Sequence, residues 1–301
     1  MQTAQGNGRY MPGIQLLQIP GPTNVPARVL SAIAQPTVAH RGEAFAEFVR
    51  GLFPDLRQVF GTQHSVAIFP SSGTGAWEAA LHNTTALGDE ILMTETGHFS
   101  SLWFDMAKRL GRNARLLPGD WRRGADPQAV EDALRRDTSR SIRAVCVVHN
   151  ETSTGATTDI PAMRKAIDAV GHPALLLIDT ISSLGSMPYR HDEWGVDVTV
   201  AGSQKGLMLP PGLAFNAYGP RALEASQRAH VGSVYFDWAP MQDCAQTGSF
   251  PYTPATNLLF GLRTALDLLN EEGHEAVFAR HARHARATRA AVEAWGLEIF
   301  C

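Results

Sequence analysis

Short apolar segments alternate with segments of helical periodicity from about residue 60 to residue 220. The apolar segments are continuous runs rich in Val, Ile and Leu, which is typical of strands covered on both faces. These runs lie at Ser65–Phe69, Glu90–Thr94, Ala144–Val148, Ala174–Ile178 and Val196–Ala201. The helical segments between them lie at Ala76–Ala86, Ser101–Leu110, Pro127–Arg136 and Pro161–Val170. The alternation predicts an α/β fold, with a mostly parallel sheet sandwiched by helices.

Further helices are predicted on both sides of this core. Phe45–Phe60 reads as an amphipathic helix before it, and Asn257–Glu272 and Glu275–Trp295 read as long helices after it. Binding sites in such a sheet lie at the carboxyl ends of the strands. The residues just after each apolar run are therefore the candidates for function.

Composition narrows the class of protein. The 301 residues are 44% hydrophobic and 18% charged, which excludes a disordered chain, and the net charge of −3 gives no attraction to nucleic acid or an anionic membrane. No apolar run approaches the roughly 18 residues that cross a bilayer. The three cysteines, Cys146, Cys244 and Cys301, follow no metal spacing and are expected to be reduced, buried thiols of a cytoplasmic protein.

The first predicted strand runs into a loop of small and hydroxyl residues that opens a helix, Phe69-Pro-Ser-Ser-Gly-Thr-Gly-Ala-Trp77. Free N–H groups and the dipole at a helix N-terminus favour a phosphate, and Ser72 and Thr74 add hydroxyl donors. The spacing matches neither a Walker A loop nor GxGxxG. Taken alone, the pattern favours a simpler role, in which Ser72 or Thr74 caps the helix.

Asp179 directly follows the fourth apolar run. A carboxylate at that point is desolvated and needs a partner. The protonated ring nitrogen of a cofactor is one good partner, and an ordinary cap on the next turn is the alternative.

Only three of the 26 basic residues are lysines, and only a lysine offers an amine that can lose its proton. Lys108 and Lys165 lie in amphipathic helical segments and are expected on solvated faces. Lys205 follows the fifth apolar run among small and apolar residues, where burial would lower its pKa and make the amine a nucleophile. A structural lysine that binds loop carbonyls is the alternative.

These three strand ends together match the requirements of pyridoxal phosphate. The phosphate requires a helix N-terminus, the pyridinium nitrogen a carboxylate, and the aldehyde a lysine. An aromatic or branched side chain on each ring face would complete the site, and Phe99 and Ile181 are placed to supply them.

The sequence at this point resembles the class V (fold type I) aminotransferases, most closely those of the serine–glyoxylate and alanine–glyoxylate type. The resemblance covers nearly the whole chain. The motifs that carry it are Pro20–Asn24, Ser72–Gly75 with Trp77–Ala80, Gly97–Ser100, Val148–Gly155, Asp179, Gly202–Lys205 with Pro210–Gly212, and Pro251–Asn257.

The resemblance implies a role for each residue around the cofactor ring. Lys205 would form the Schiff base and shuttle the proton of the 1,3-transfer. Asp179 would pair with the pyridine nitrogen, and Thr152 would hydrogen-bond the ring hydroxyl. Phe99 would stack on one ring face and Ile181 would pack on the other.

It also implies a phosphate site and a shared dimer. Ser72, Gly73, Thr74 and Gln204 would bind the phosphate. Thr253 would reach the phosphate of the neighbouring subunit's cofactor, because the family shares its sites across a two-fold homodimer. The loop Thr23-Asn24 would line the substrate entrance.

The implied fold is that of the aspartate-aminotransferase large domain. Residues 1–25 would form an N-terminal arm and entrance loop, 26–272 the cofactor-binding large domain, and 273–301 the start of a truncated C-terminal small domain. That domain supplies an arginine that clamps the substrate carboxylate in this family. The expected arginine has no position before Cys301, and nothing in the sequence assigns the role to Arg41.

The implied reaction is a ping-pong transamination. L-Serine or L-alanine would give its amino group and leave as a 2-oxo acid, and glyoxylate would take the group and leave as glycine. Aspartate as donor is one alternative, and a truncated cofactor-binding homologue with little turnover is another. A desulfurase or lyase would need a mobile catalytic cysteine loop, which Cys301 lacks.

Overall fold

The computed structural model describes residues 16–229 and 233–301, so residues 1–15 of the predicted arm lie outside the described residues. Within these described residues, seven strands form one sheet in the order β1-β7-β6-β5-β4-β2-β3. They are β1 Ser65–Ser71, β2 Glu90–Thr94, β3 Asn113–Leu117, β4 Ile142–Val148, β5 Leu175–Asp179, β6 Val198–Gly202 and β7 Gly212–Tyr218. Each of the five predicted strands is present, and β3 and β7 are additional.

The sheet is mostly parallel, as the sequence predicts. The pairs β2–β3, β2–β4, β4–β5 and β5–β6 are parallel, whereas β7 runs antiparallel to both β1 and β6. It follows that β1 points the same way as the five parallel strands. β1 is an edge strand, a position that tolerates Pro70 in the strand.

Helices cover both faces of the sheet. They are α1 Ala27–Ile33, α2 Glu43–Arg50, α3 Phe53–Phe60, α4 Gly73–Thr84, α5 His98–Arg109, α6 Pro127–Arg136, α7 Ile160–Ala169, α8 Pro220–Arg228, α9 Cys244–Thr247, α10 Thr256–Glu272 and α11 His274–Ala294, with a 3₁₀ turn at Ala239–Met241. Alternate strand residues point to opposite faces, so Val145 and Val147 of β4 join one apolar cluster and Ala144 and Cys146 the other. Helices α4, α5 and α8 pack on the second cluster.

The single helix predicted over Phe45–Phe60 is wrong, because the segment forms two helices. α2 ends at Arg50, and α3 starts at Phe53 with Pro54 in its first turn. Proline lacks an N–H and clashes with the preceding turn, so it is accepted at a helix start and not in its interior. The break at Gly51-Leu52 follows from Pro54.

The cysteines are all free thiols, and Cys146 and Cys244 are buried as predicted. Cys301 is only partly buried, so the expectation of a fully buried thiol is wrong there. It lies against the loop carrying Thr154, whose carbonyl oxygen its Sγ contacts. None of the helices in the described part of the chain is long and apolar enough to cross a membrane.

Candidate active site

A cavity of about 240 Å³ lies at the carboxyl edge of the sheet. β1, β2, β4, β5 and β6 all end at this edge, and residues that follow each of them line the cavity. The lining residues include all but one of those predicted to bind a cofactor, namely Ser72, Gly73, Thr74, Phe99, Thr152, Asp179, Ile181, Gln204 and Lys205.

Larger clefts elsewhere lack this combination of groups. The cleft beside α8, about 700 Å³ in volume, is lined by Arg221 and Arg228. Arg221 pairs with Asp197 and Arg228 with Glu224, so both guanidinium groups already have carboxylate partners. We therefore place the candidate active site at the carboxyl edge despite its smaller volume.

The N-terminus of α4 forms one end of the cavity. Ser72 is the N-cap residue in an extended conformation, and its hydroxyl makes no capping hydrogen bond within the described part of the chain. The first N–H groups of a helix have no partner inside the helix, so they can bind an anion. Gly73 lets the loop approach the opposite wall, since a Cβ there would lie 2.4 Å from Ile181 Cδ1.

Gln204 lies beside this helix start. Its Oε1 is buried and has no hydrogen-bond partner among residues 16–229 and 233–301. A buried amide without a partner is costly, and rotation of the amide can present its NH₂ group instead. Gln204 therefore has the unused hydrogen-bonding capacity that an incoming anion would take up.

Asp179 lies at the end of β5 and is 4% exposed. Its Oδ1 accepts a hydrogen bond from Ile181 N at 2.6 Å, and its Oδ2 accepts one from Trp77 Nε1 at 3.0 Å. Burial raises the pKa of Asp179 to about 7, although both hydrogen bonds and the charge of Lys205 act to lower it. The carboxylate binds the backbone of the next turn, as the alternative interpretation held, and it also lines the cavity, so its pairing with a ring nitrogen stays a prediction.

Lys205 reaches the cavity from the loop after β6. Its Nζ donates to Pro20 O at 3.0 Å, so the amine does bind one loop carbonyl, as the alternative interpretation held. Burial lowers the pKa of Lys205, and the charge of Asp179 opposes this shift. Gly21 packs on the side chain with φ +151°, where a Cβ would lie 2.5 Å from Nζ. By contrast, Lys108 and Lys165 are exposed, as predicted.

Glu151 is a buried residue beside the cavity whose contacts the sequence does not predict. It is fully buried and lies next to Thr152, on the loop after β4. Its carboxylate accepts hydrogen bonds from Phe99 N at 3.3 Å, Ser100 N at 3.1 Å, and Ser153 N and Oγ at 3.1 and 2.7 Å. Glu151 thus ties the start of α5, which carries Phe99, to the loop that carries Thr152.

Trp77 is the second residue without a predicted role. It lies one turn into α4, lines the cavity and donates its indole N–H to Asp179. The sequence motif contains Trp77, but its partner Asp179 is the last residue of β5, a distant strand. The contact could not be predicted from the sequence, because it depends on where β5 lies in the sheet relative to α4.

Other predicted residues lie outside the cavity. Thr253 is exposed and is not among the lining residues. The backbone N–H of Thr23 donates to Gln204 O at 3.1 Å, and the side chain of Asn24 hydrogen-bonds the backbone of Leu17. At this point Gly21 and Pro22 line the cavity instead of Thr23 and Asn24. Arg41 is exposed too and does not line the cavity.

Comparisons with known proteins identify the family of this chain. The family model "Aminotransferase class-V" matches residues 16–297. The serine–glyoxylate aminotransferase of Methylorubrum extorquens is 50% identical, over 95% of this chain and 73% of that protein. The L-aspartate–glyoxylate aminotransferase of Paracoccus denitrificans is 44% identical, over 93% of this chain and 71% of that protein.

A solved structure supports the same assignment. The alanine–glyoxylate aminotransferase of Nostoc sp. superposes with a TM-score of 0.88 at 31% identity, covering 98% of this chain and 78% of that one. The sequence motifs, the sheet topology and the family model all point the same way. The chain belongs to the class-V aminotransferases.

Proposed function

We propose that this chain transfers the amino group of L-serine or L-alanine to glyoxylate with pyridoxal phosphate, giving a 2-oxo acid and glycine. The observation that carries the proposal is that Lys205, Asp179 and the N-terminus of α4 line one cavity. The identity to serine–glyoxylate aminotransferases favours serine as donor. The Paracoccus relative makes aspartate the second candidate.

The residues present fit the cofactor. The free N–H groups of α4 with Ser72 and Thr74 suit its phosphate. Gln204, whose Oε1 has no partner in the part of the chain that the structure describes, has capacity for one more hydrogen bond. Phe99 and Ile181 would cover the two ring faces, and Thr152 would bind the ring hydroxyl.

The bound cofactor would supply an aldehyde and a protonated ring that accepts electron density. Asp179, in its ionised form, would keep the ring nitrogen protonated. Lys205 Nζ would carry the proton between carbon atoms, and burial favours the unprotonated amine that this role needs because it lowers the pKa of Lys205. Glu151 would keep the walls that carry Phe99 and Thr152 at a fixed separation.

We further propose a homodimer in which Thr253 reaches the partner's site, and a cytoplasmic location. The exposure of Thr253 supports the first, because a residue that acts across an interface lies on the subunit surface. The free thiols support the second. Sedimentation at several concentrations tests the dimer, and a monomer throughout would contradict it.

The lysine assignment can be tested by chemical trapping. The protein is incubated with pyridoxal phosphate, reduced with borohydride, digested and analysed by mass spectrometry. The pyridoxyl group is expected on Lys205, and the variants Lys108→Arg and Lys165→Arg should label as well as the wild type. A label on Lys108 or Lys165, or undiminished labelling of Lys205→Ala, would refute the assignment.

The donor can be tested in half-reactions. L-Serine, L-alanine and L-aspartate are each titrated into the cofactor-loaded protein while the absorbance of the cofactor is followed. Serine is expected to convert the cofactor at the lowest concentration. Conversion at a lower concentration of aspartate than of serine would make aspartate the proposed donor. No conversion by any of the three donors would overturn the proposed function.

A further inference from the structure

We propose that Trp77 is a positioning residue for Asp179, acting through its indole N–H on the carboxylate that faces the cofactor ring. The role builds on the proposed function, since it matters for transamination only when the cofactor is bound. The contact itself is a property of the chain and can be tested without the cofactor.

The geometry around Asp179 assigns one donor to each carboxylate oxygen. Ile181 N donates to Oδ1 at 2.6 Å and Trp77 Nε1 donates to Oδ2 at 3.0 Å. The backbone donor alone would leave the group free to turn about its side-chain bonds. The second donor, fixed on a helix, restrains the plane of the carboxylate and hence the edge that it presents to the cavity.

The groups around Asp179 determine whether its carboxyl is ionised, and the Trp77 indole N–H is one of them. Burial and the negative charge of Glu151 favour the neutral form of Asp179, whereas the Trp77 hydrogen bond and the charge of Lys205 favour the ionised form. Tyr189 and His149 also lie near Asp179, and both favour their neutral forms at neutral pH, because burial raises the pKa of Tyr189 and lowers the pKa of His149 to about 4. Only the ionised form can pair with a protonated ring nitrogen.

Trp103 provides a comparison inside the same core. Its ring stacks on that of Trp77 with centroids 5.8 Å apart and planes 12° from parallel. Trp77 is 3% exposed and Trp103 is 1% exposed, so their burial is equivalent. Trp103 Nε1, however, has no hydrogen-bond partner in the described ranges 16–229 and 233–301. Packing is common to both indoles, and the carboxylate contact belongs to Trp77.

The first experiment uses cofactor-free protein labelled with ¹⁵N at the tryptophan indoles. The Trp77 N–H signal, assigned from Trp77→Phe, is expected to shift with pH through a midpoint near 7 as Asp179 titrates. The shift should persist in Trp103→Phe and disappear in Asp179→Asn. A Trp77 signal that does not respond to pH, or that still responds in Asp179→Asn, would overturn the proposal.

The second experiment measures binding of pyridoxal phosphate by the matched variants. Trp77→Phe should weaken binding about ten- to a hundredfold, which is the range for a lost hydrogen bond to a charged group. The fall in affinity at acidic pH should also begin at a higher pH than in the wild type. Trp103→Phe should bind as the wild type does, with an unchanged pH profile. Equal weakening in both variants, or none in Trp77→Phe, would refute the positioning role.

The two experiments separate this proposal from the proposed function. If the wild type binds no pyridoxal phosphate, the proposed function fails, and the indole titration still decides whether Trp77 contacts an ionising Asp179. If Trp77→Phe does not fold, the Trp77 signal is assigned by through-bond NMR instead, and its titration in wild type and Asp179→Asn decides the question.

Discussion

Replacing Asp179 by asparagine should change how the stability of the cofactor-free protein depends on pH. Burial raises the pKa of Asp179 in the folded chain from 3.8 to about 7. Between these values the folded protein keeps a proton that the unfolded chain has released. The contribution of Asp179 to the free energy of unfolding is therefore fully present only below the unfolded pKa, and it is lost as pH rises from about 4 to about 7.

The magnitude follows from the size of the shift. One pKa unit corresponds to about 1.36 kcal/mol, so a shift of about three units gives about 4 kcal/mol across the window. The amide introduced by Asp179→Asn does not titrate, so the variant lacks this loss. The amide has only one acceptor oxygen, however, and either Ile181 N–H or the Trp77 indole loses its partner at a cost of about 1–3 kcal/mol. That cost does not depend on pH.

The assay is urea unfolding of both proteins, free of cofactor, at pH values from 4 to 8. The free energy of unfolding of Asp179→Asn minus that of the wild type should rise by about 4 kcal/mol across this range. Taking the difference cancels groups that titrate alike in both proteins. Asp159→Asn, at the exposed N-cap of α7, is the control, since asparagine caps helices as well as aspartate does. A difference that stays constant with pH would refute the argument from burial.

Two further predictions concern the walls of the site. Glu151→Gln removes a negative charge that raises the pKa of Asp179. The midpoint of the Trp77 indole titration should therefore fall below 7. An unchanged midpoint would show that the charge of Glu151 does not act on Asp179. In Gly21→Ala the new Cβ would lie 2.5 Å from Lys205 Nζ, so labelling of the lysine should drop sharply. Gly88→Ala is the control, because Gly88 also has positive φ but nothing within 4 Å, and equal losses in both variants would contradict the steric explanation.

The sequence predicted the strands that end at the site because each is a continuous apolar run. It missed β3, whose residues Asn113–Leu117 are short, mixed in polarity and at the sheet edge. It also missed β7, an apolar segment that contains the polar residue Asn216. Asn216 is buried and binds Ala76 O and the indole of Trp238, partners that come from distant parts of the chain. The hydrophobic pattern of a segment does not show that a buried polar residue in it has hydrogen-bond partners in distant parts of the chain.

The same limit applies to the candidate site. Residues that follow a strand could be predicted one strand at a time, which was sufficient for Ser72, Asp179 and Lys205. The contacts of Glu151 with α5 and of Trp77 with β5 join different strand ends. They depend on the order of strands in the sheet, which the sequence alone did not provide.

The position of β1 has a consequence for when the site can form. β1 carries the loop before α4, yet its only partner in the described sheet is β7, with Ser65 opposite Tyr218. About half the chain is synthesised between these two residues. Pairing across such a separation is slow, because a long loop must close first. During synthesis, β1 therefore stays unpaired until β7 has left the ribosome, so ribosome-bound chains that end before β7 should lack the site and expose β1 to chaperones.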